Sequence, residues 1–373
     1  KRQDTTFAVD GAESVHVETM GGSIEVLVWD EDRIRVEAEH SNRTYIEIEW
    51  RRNGREIDIE PEARRGPANI VDFRITVPRR MALNLDGQYA DLRIEGADGQ
   101  IEAETMQGDV HIVGGRGTVK VESTMGSVYI EGAEGTIEVE TSAADIHVVD
   151  SSGEIFAESA GGSIVMENVD LRAVDVGSTG GRVHYDGSFQ PGGTYFFGAH
   201  GGTLTIVVGE EAQASFNVAT VHGSITSNLR GEVEAFRGGE RHEFEIGGGG
   251  AIVEAETFGG RIRLLRRGSE GTDAPVRRRS PVRDGVAMAL PDFDADGEWS
   301  WSWDREDVSG AGMTAGLTAG LAAGLTAGLS EGAYEGSAEL AAEISERLQD
   351  RLSERLSNRL QRTSSTSSAT NRR

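Results

Sequence analysis

The sequence predicts an all-β protein: a single-stranded, β-helix-like solenoid of 18-residue coils, followed by a low-complexity linker and a C-terminal amphipathic α-helix. Three observations carry this. First, residues 90–161 hold one 18-residue pattern written four times, ADLRIEGADGQIEAETMQ, GDVHIVGGRGTVKVESTM, GSVYIEGAEGTIEVETSA and ADIHVVDSSGEIFAESAG. Second, when the copies are aligned, the third and fifth columns (Leu92, Val110, Val128, Ile146; Ile94, Ile112, Ile130, Val148) and the twelfth and fourteenth (Ile101, Val119, Ile137, Ile155; Ala103, Val121, Val139, Ala157) are aliphatic. Apolar residues alternating with polar ones at period 2 mark strands with one buried face, two per repeat. Third, Gly99, Gly117, Gly135 and Gly153 fall between those strands, where a corner would use positive φ. No single repeat can bury its own face, so the copies must stack, with like residues roughly 4.8 Å apart along the axis.

The remaining elements follow in chain order. Residues 13–39 follow the repeat's pattern: GGSIEV at 21–26 matches GSVYI at 126–130, and Met20 precedes it as Met125 precedes the other, so the first coil is expected to begin there. YIEIEW and REIDIE flank Arg51–Gly54 and read as a hairpin edging the stack. DFRITVP (72–78) and MALNLDG (81–87) then lead into the repeats. After Gly161 the period loosens, with one extra residue near Leu171, an excursion through Pro191, and strands at 203–208, 215–218 and 252–255. FGGRIRLL (258–265) is expected to be the last coil. Three regions result: a solenoid over 1–268; a linker over 269–336 that is rich in Arg and Pro, then in acid and Trp, then in Gly and Leu; and a helix with a Ser/Thr-rich end over 337–373. In that helix Leu340, Ile344, Leu348, Leu352, Leu356 and Leu360 recur every four residues, a stripe that drifts slowly around a 3.6-residue turn.

Composition narrows the function. A net charge of −26 argues against nucleic acid and anionic membranes as partners. There are no cysteines, which excludes disulfides, Cys-ligated metals and thiol catalysis. A chain that starts at Lys1, with no apolar stretch ahead of its first strand, is expected of a form whose export signal has been removed.

DFRITVP, MALNLDG, the GDVHI and GSVYI coils and the closing FGGRIRLL together resemble the bacterial adhesin-type family DUF4097, over roughly residues 15–265. The resemblance implies a β-solenoid exported to the periplasm or displayed on the cell surface. Some relatives have been linked to envelope-stress signalling. The family pattern has no catalytic residues, so none is carried over.

The fifteenth repeat column is Glu104, Glu122, Glu140 and Glu158, carboxylates that stacking sets one strand spacing apart. Such a ladder could be a track for divalent cations or polycations; the simpler reading is a solvated surface relieved by screening and side-chain splay. The neighbouring Glu102, Lys120 and Glu138 alternate in sign and favour the simpler one. The sixteenth column, Thr105, Ser123, Thr141 and Ser159, is expected to face inward as a hydroxyl ladder. The GGxGxD ligands of a calcium roll are missing from both halves of the repeat, so folding of the coils needs no cofactor.

Calcium has one further candidate. Asp292, Asp294, Asp296 and Gly297 open like a calcium loop, but Trp303 stands where a bidentate Glu belongs, so an acidic turn is the plainer account. Trp299, Trp301 and Trp303 would share one face of an extended segment, able to stack on sugars or a partner, or else to cap the solenoid. Gly312, Gly316, Gly320, Gly324 and Gly328 make a GxxxG series too poor in large apolar residues for membrane insertion, which leaves self-association through the tail open. His111 and His147 share a column but sit two coils apart, roughly 9.6 Å, too far for a shared metal or proton.

The expectation is a non-enzymatic adhesion or binding module whose partner is a cell-surface glycan or an envelope protein. A bactofilin-like structural polymer, an envelope-stress sensor and a carbohydrate-active enzyme remain as rivals.

Overall fold

A computed structural model describes residues 1–41, 44–51, 54–63, 70–229, 233–236, 238–268 and 278–279. The chain divides into two compact units, Lys1–Val233 with Glu240–Arg277, and Glu234–Gly239 with Arg278–Arg373. Nearly all of the second, including the expected C-terminal helix, lies outside the described residues.

Strands such as β2, β6 and β10 sit where apolar residues alternate with polar ones. The opening group is β1 (Arg2–Ala8), β2 (Ser14–Trp29), β3 (Arg33–Glu39), β4 (Thr44–Arg51), β5 (Glu56–Ala63) and β6 (Val71–Pro78). The regular coils use β7 (Ala82–Glu95), β8 (Ile101–Thr105), β9 (Val110–Val113), β10 (Arg116–Ser123), β11 (Val128–Glu131), β12 (Glu134–Thr141), β13 (Ile146–Val149), β14 (Ser152–Ser159) and β15 (Ile164–Ser178). Then follow β16 (Val183–Gly187), β17 (Thr194–His200), β18 (Thr203–Val208), β19 (Ala214–Val221), β20 (Ser224–Ser227), β21 (Val233–Phe236), β22 (Gly239–Ile246), β23 (Ala251–Phe258) and β24 (Arg261–Arg266).

In the coils, parallel strands pair at an offset of 18 residues: Val119 stands opposite Ile101 and Ile137, and Ile130 opposite Ile112 and Val148. The four aliphatic columns form the core, and Ile94, Ile101, Ile130, Ile137 and Ile155 are wholly buried. The sixteenth column is buried too, and its hydroxyls bond backbone at the corner: Ser123 Oγ donates to Gly126 O and Thr141 Oγ1 to Ala144 O. The extra residue near Leu171 is a bulge at Arg172, since Gly153 faces Leu171 while Glu154 faces Ala173. The excursion through Pro191 is pinned by Tyr195, whose hydroxyl donates to Leu171 O and accepts from Gln190 N.

The hairpin around Arg51–Gly54 is present, with β4 and β5 antiparallel and Ile48 opposite Ile59. Three expectations need correction. DFRITVP does not lead into the repeats: β6 lies on the far side of β2, which is sandwiched between β5 and β6 on one side and β7 on the other. With β1 and β3 antiparallel beyond it, β6 helps cap the first coil. The glycines assigned to the corner also lie elsewhere, because Gly117, Gly135 and Gly153 open β10, β12 and β14. They do adopt positive φ (97°, 128° and 116°), whereas Gly99 is needed for room, since a Cβ there would overlap Met81 O.

FGGRIRLL is not the last coil. β23 pairs in parallel with both β17 and β19, and β24 with both β18 and β20, so the later segment 251–266 is inserted ahead of the earlier coil 214–227. A corner column of small residues follows the same order. A Cβ on Gly202 would overlap Gly181 O, one on Gly260 would crowd Gly201 O, and one on Gly223 would overlap Gly260 O. The carboxylate column is in register as expected, and it continues beyond the four copies.

Candidate functional site

That column is a file of carboxylates. Glu18 stands opposite Asp86, Asp86 opposite Glu104, and Glu122, Glu140 and Glu158 follow in register, six carboxylates on successive coils. Gly177, opposite Glu158, ends the run. The expected Glu104, Glu122, Glu140 and Glu158 are therefore brought together, and Glu18 and Asp86 join them. Asp86 lies one period before Glu104, a signal legible by extending the repeat backwards through MALNLDG. Glu18 was hidden, because the inserted cap strands separate it from Asp86 in sequence.

Alternation turns these side chains outward while their neighbours Thr105, Ser123, Thr141 and Ser159 turn in. Burial and a neighbouring carboxylate act together on two of them. Partial desolvation, then the Glu122 carboxylate, hold Glu104 above the usual carboxylate range. Glu18 is raised by desolvation and by Asp86. The compensation is local: Lys120 Nζ lies 2.8 Å from Glu102 and 2.8 Å from Glu122. Burial pulls the Lys120 pKa down, but its hydrogen bonds to those two carboxylates outweigh it and leave the ammonium more firmly charged. Only Lys120 brings a cation into the two adjacent columns between Asn84 and Glu158.

A second column, on the strands β7, β9, β11 and β13, aligns Arg93, His111, Tyr129 and His147. His111 stacks on Tyr129 with ring centroids 4.9 Å apart, Tyr129 meets His147 edge-on at 5.5 Å, and the phenol ring thus separates the imidazoles. A third column is structural. Asp91 accepts from Asp109 N, Asp109 from Ser127 N and Asp145 from Ser163 N, each carboxylate satisfying a backbone donor one coil on. Near the carboxy-terminal coils a cavity of about 530 Å³ is lined by Ser188, Phe189, Glu210, Glu211 and Arg267, with Arg267 paired to Asp186.

Among the described residues no three His, Asp or Glu side chains converge as metal ligands. Asp292, Asp294, Asp296, Trp299, Trp301 and Trp303 lie outside the described residues. No helix among the described residues is long and apolar enough to cross a membrane.

The family model described as Toastrack DUF4097 matches residues 12–246. This chain belongs to that family. The match begins after β1, takes in the rest of the cap, all the regular coils and β22, and ends short of the inserted β23–β24 layer. No curated protein matches the Toastrack chain. A solved structure described as a "putative cell adhesion protein" from Clostridium sporogenes ATCC 15579 aligns at 10% identity and a TM-score of 0.19, covering 72% of this chain and 99% of that one. At that TM-score the likeness carries no weight for fold or function.

Proposed function

We propose that this Toastrack chain is a non-enzymatic adhesion or binding module of the bacterial envelope, whose acidic flank engages an extended partner, either a surface glycan or an envelope protein. The observation that carries the reading is the unbroken file of six outward carboxylates on successive coils. A flat, periodic face suits a long ligand that makes many weak contacts, in the way solenoid surfaces are generally used. A catalytic site would instead gather different functional groups around one cleft. The antiparallel cap supports a discrete module over a filament, because β1 and β4 replace the parallel edge onto which another coil could add.

The test is retention of the purified chain on isolated envelope fractions and on a panel of glycans, compared with a Glu140→Gln/Glu158→Gln variant. Saturable retention that the variant weakens at least tenfold is expected, with the glycans recovered at unchanged mass. Equal retention of the variant would move the binding surface off this flank, and cleaved glycans would overturn the non-enzymatic reading.

A further inference from the structure

Exposed apolar side chains gather at one corner of the solenoid. Among the described residues, the exposed large hydrophobics are Met20, Tyr45, Trp50, Ile70, Tyr89, Met106, Met125 and Ile252. Met20, Tyr89, Met106 and Met125 all occupy the same two-residue turn, after the column of Thr19, Gly87, Thr105 and Ser123 and before that of Gly22, Ala90, Gly108 and Gly126. Ile70 adds to the ridge, since a Cβ on Gly21 would lie 3.6 Å from Ile70 and 3.8 Å from Tyr89. These side chains are 41–69% exposed. On the following coils the turn carries Ser142 and Ala143, then Ala160 and Gly161, so the ridge stops after four coils, about 14 Å along the axis.

Carboxylates run along both sides of the ridge. Glu18, Asp86, Glu104 and Glu122 lie upstream of the turn, and Asp91 and Asp109 lie downstream. An apolar strip between acidic files calls for a partner with an apolar stripe bordered by cations. This chain's sequence contains one. In residues 347–360 each of Leu348, Leu352, Leu356 and Leu360 is immediately preceded by an arginine, Arg347, Arg351, Arg355 and Arg359. The segment lies outside the described residues, and its leucine spacing predicts a helix whose stripe from Leu348 to Leu360 is about 18 Å long, close to the length of the ridge.

We propose that the corner ridge is a docking site for residues 347–360 of a second copy of this chain, leucines against Met20, Tyr89, Met106 and Met125, arginines against the flanking carboxylates. Each copy carries one ridge and one such segment, so a reciprocal exchange closes a pair with both ridges covered. At a net charge of −26 two copies repel, and the arginines relieve that repulsion where the surfaces meet. Methionine side chains suit the role because they adapt to the shape of what they pack against. The inference does not depend on the adhesion role and can fail or stand apart from it.

The test is sedimentation equilibrium of the full chain, with circular dichroism to confirm folding. A dimer is expected, weakened at least tenfold in Met106→Ser/Met125→Ser, in Leu352→Ser/Leu356→Ser and in Arg351→Glu/Arg355→Glu. Mixing the first two variants should restore association, because one copy keeps its ridge and the other its leucines. Peroxide oxidation of Met106 and Met125 in the unmodified chain should slow as concentration rises. A monomer at all concentrations overturns the proposal; if its methionines are protected, the occupant is its own tail. A dimer unaffected by the ridge substitutions also overturns it, placing the interface elsewhere.

Discussion

Lys120 Nζ lies 2.8 Å from Glu102 Oε1, one coil back, while the same nitrogen reaches Glu122 on its own strand. One cation therefore bridges two coils at the centre of an acidic flank. Replacing it with methionine keeps the apolar stem and leaves Glu102 and Glu122 facing each other. Urea unfolding should show a loss of about 1–2 kcal/mol, more than for an exposed ion pair. The control Arg172→Met removes an exposed partner of Glu154 and should cost under about 1 kcal/mol. Equal effects would mean that the bridge contributes nothing special.

Ile130 is wholly buried between Ile112 and Val148 of the adjacent coils. An Ile130→Asp substitution puts an unpaired charge into a dry stack and should destabilise the unit by several kcal/mol. Thermal unfolding followed by the β signal reads this directly. An unchanged midpoint would contradict the placement of this column in the core.

Acid should loosen the carboxy-terminal coils through His242. Its ring is fully buried against Phe244, centroids 4.3 Å apart, neither ring nitrogen has a hydrogen-bond partner among the described residues, and burial pushes its pKa down to about 4. Folding thus favours the neutral ring. The stability it permits is complete above the unfolded value near 6.5 and falls by about 3 kcal/mol as pH drops from there to about 4. Glu18 and Glu104 act in the opposite sense, because their raised pKa values mean that protonation relieves the folded state. A His242→Leu variant separates the two: measured between pH 7 and pH 4, it should lose less stability than the unmodified chain. Identical pH profiles would contradict the role of His242.

Much of the architecture was legible in the sequence. The aliphatic columns, the β4–β5 hairpin, the inward hydroxyls and the bulge at Arg172 all follow from alternation and period, which are local properties of the chain. The order of layers was not. DFRITVP reads as the strand before the repeats, yet β6 joins the cap, and FGGRIRLL reads as an ending, yet β24 lies between β18 and β20. Parallel coils of similar apolar pattern can stack in more than one order, and the choice rests on long-range fit at corners such as Gly202, Gly260 and Gly223. The carboxylate file was legible wherever the period holds. It was lost at Glu18, where inserted strands break the count.

The inverted layer order has a chemical test, since the chain lacks native cysteine. Arg261 stands opposite both Thr203 and Ser224. Cysteine pairs at 203/261 and at 261/224 should cross-link on mild oxidation, whereas a 203/224 pair, with a whole layer between, should not. Efficient 203/224 cross-linking would restore the sequential order.

The most direct measurement concerns the register of the coils, on which the acidic flank depends. Cysteines replacing Glu122 and Glu140, directly opposite on adjacent parallel strands, should form a disulfide readily and leave the fold intact. A Glu122→Cys/Thr141→Cys pair, with one partner turned into the core, should not. Rapid bonding of the first pair alone is the predicted result; bonding of the second alone would mean a one-residue slip, which breaks the carboxylate file and contradicts the site built on it.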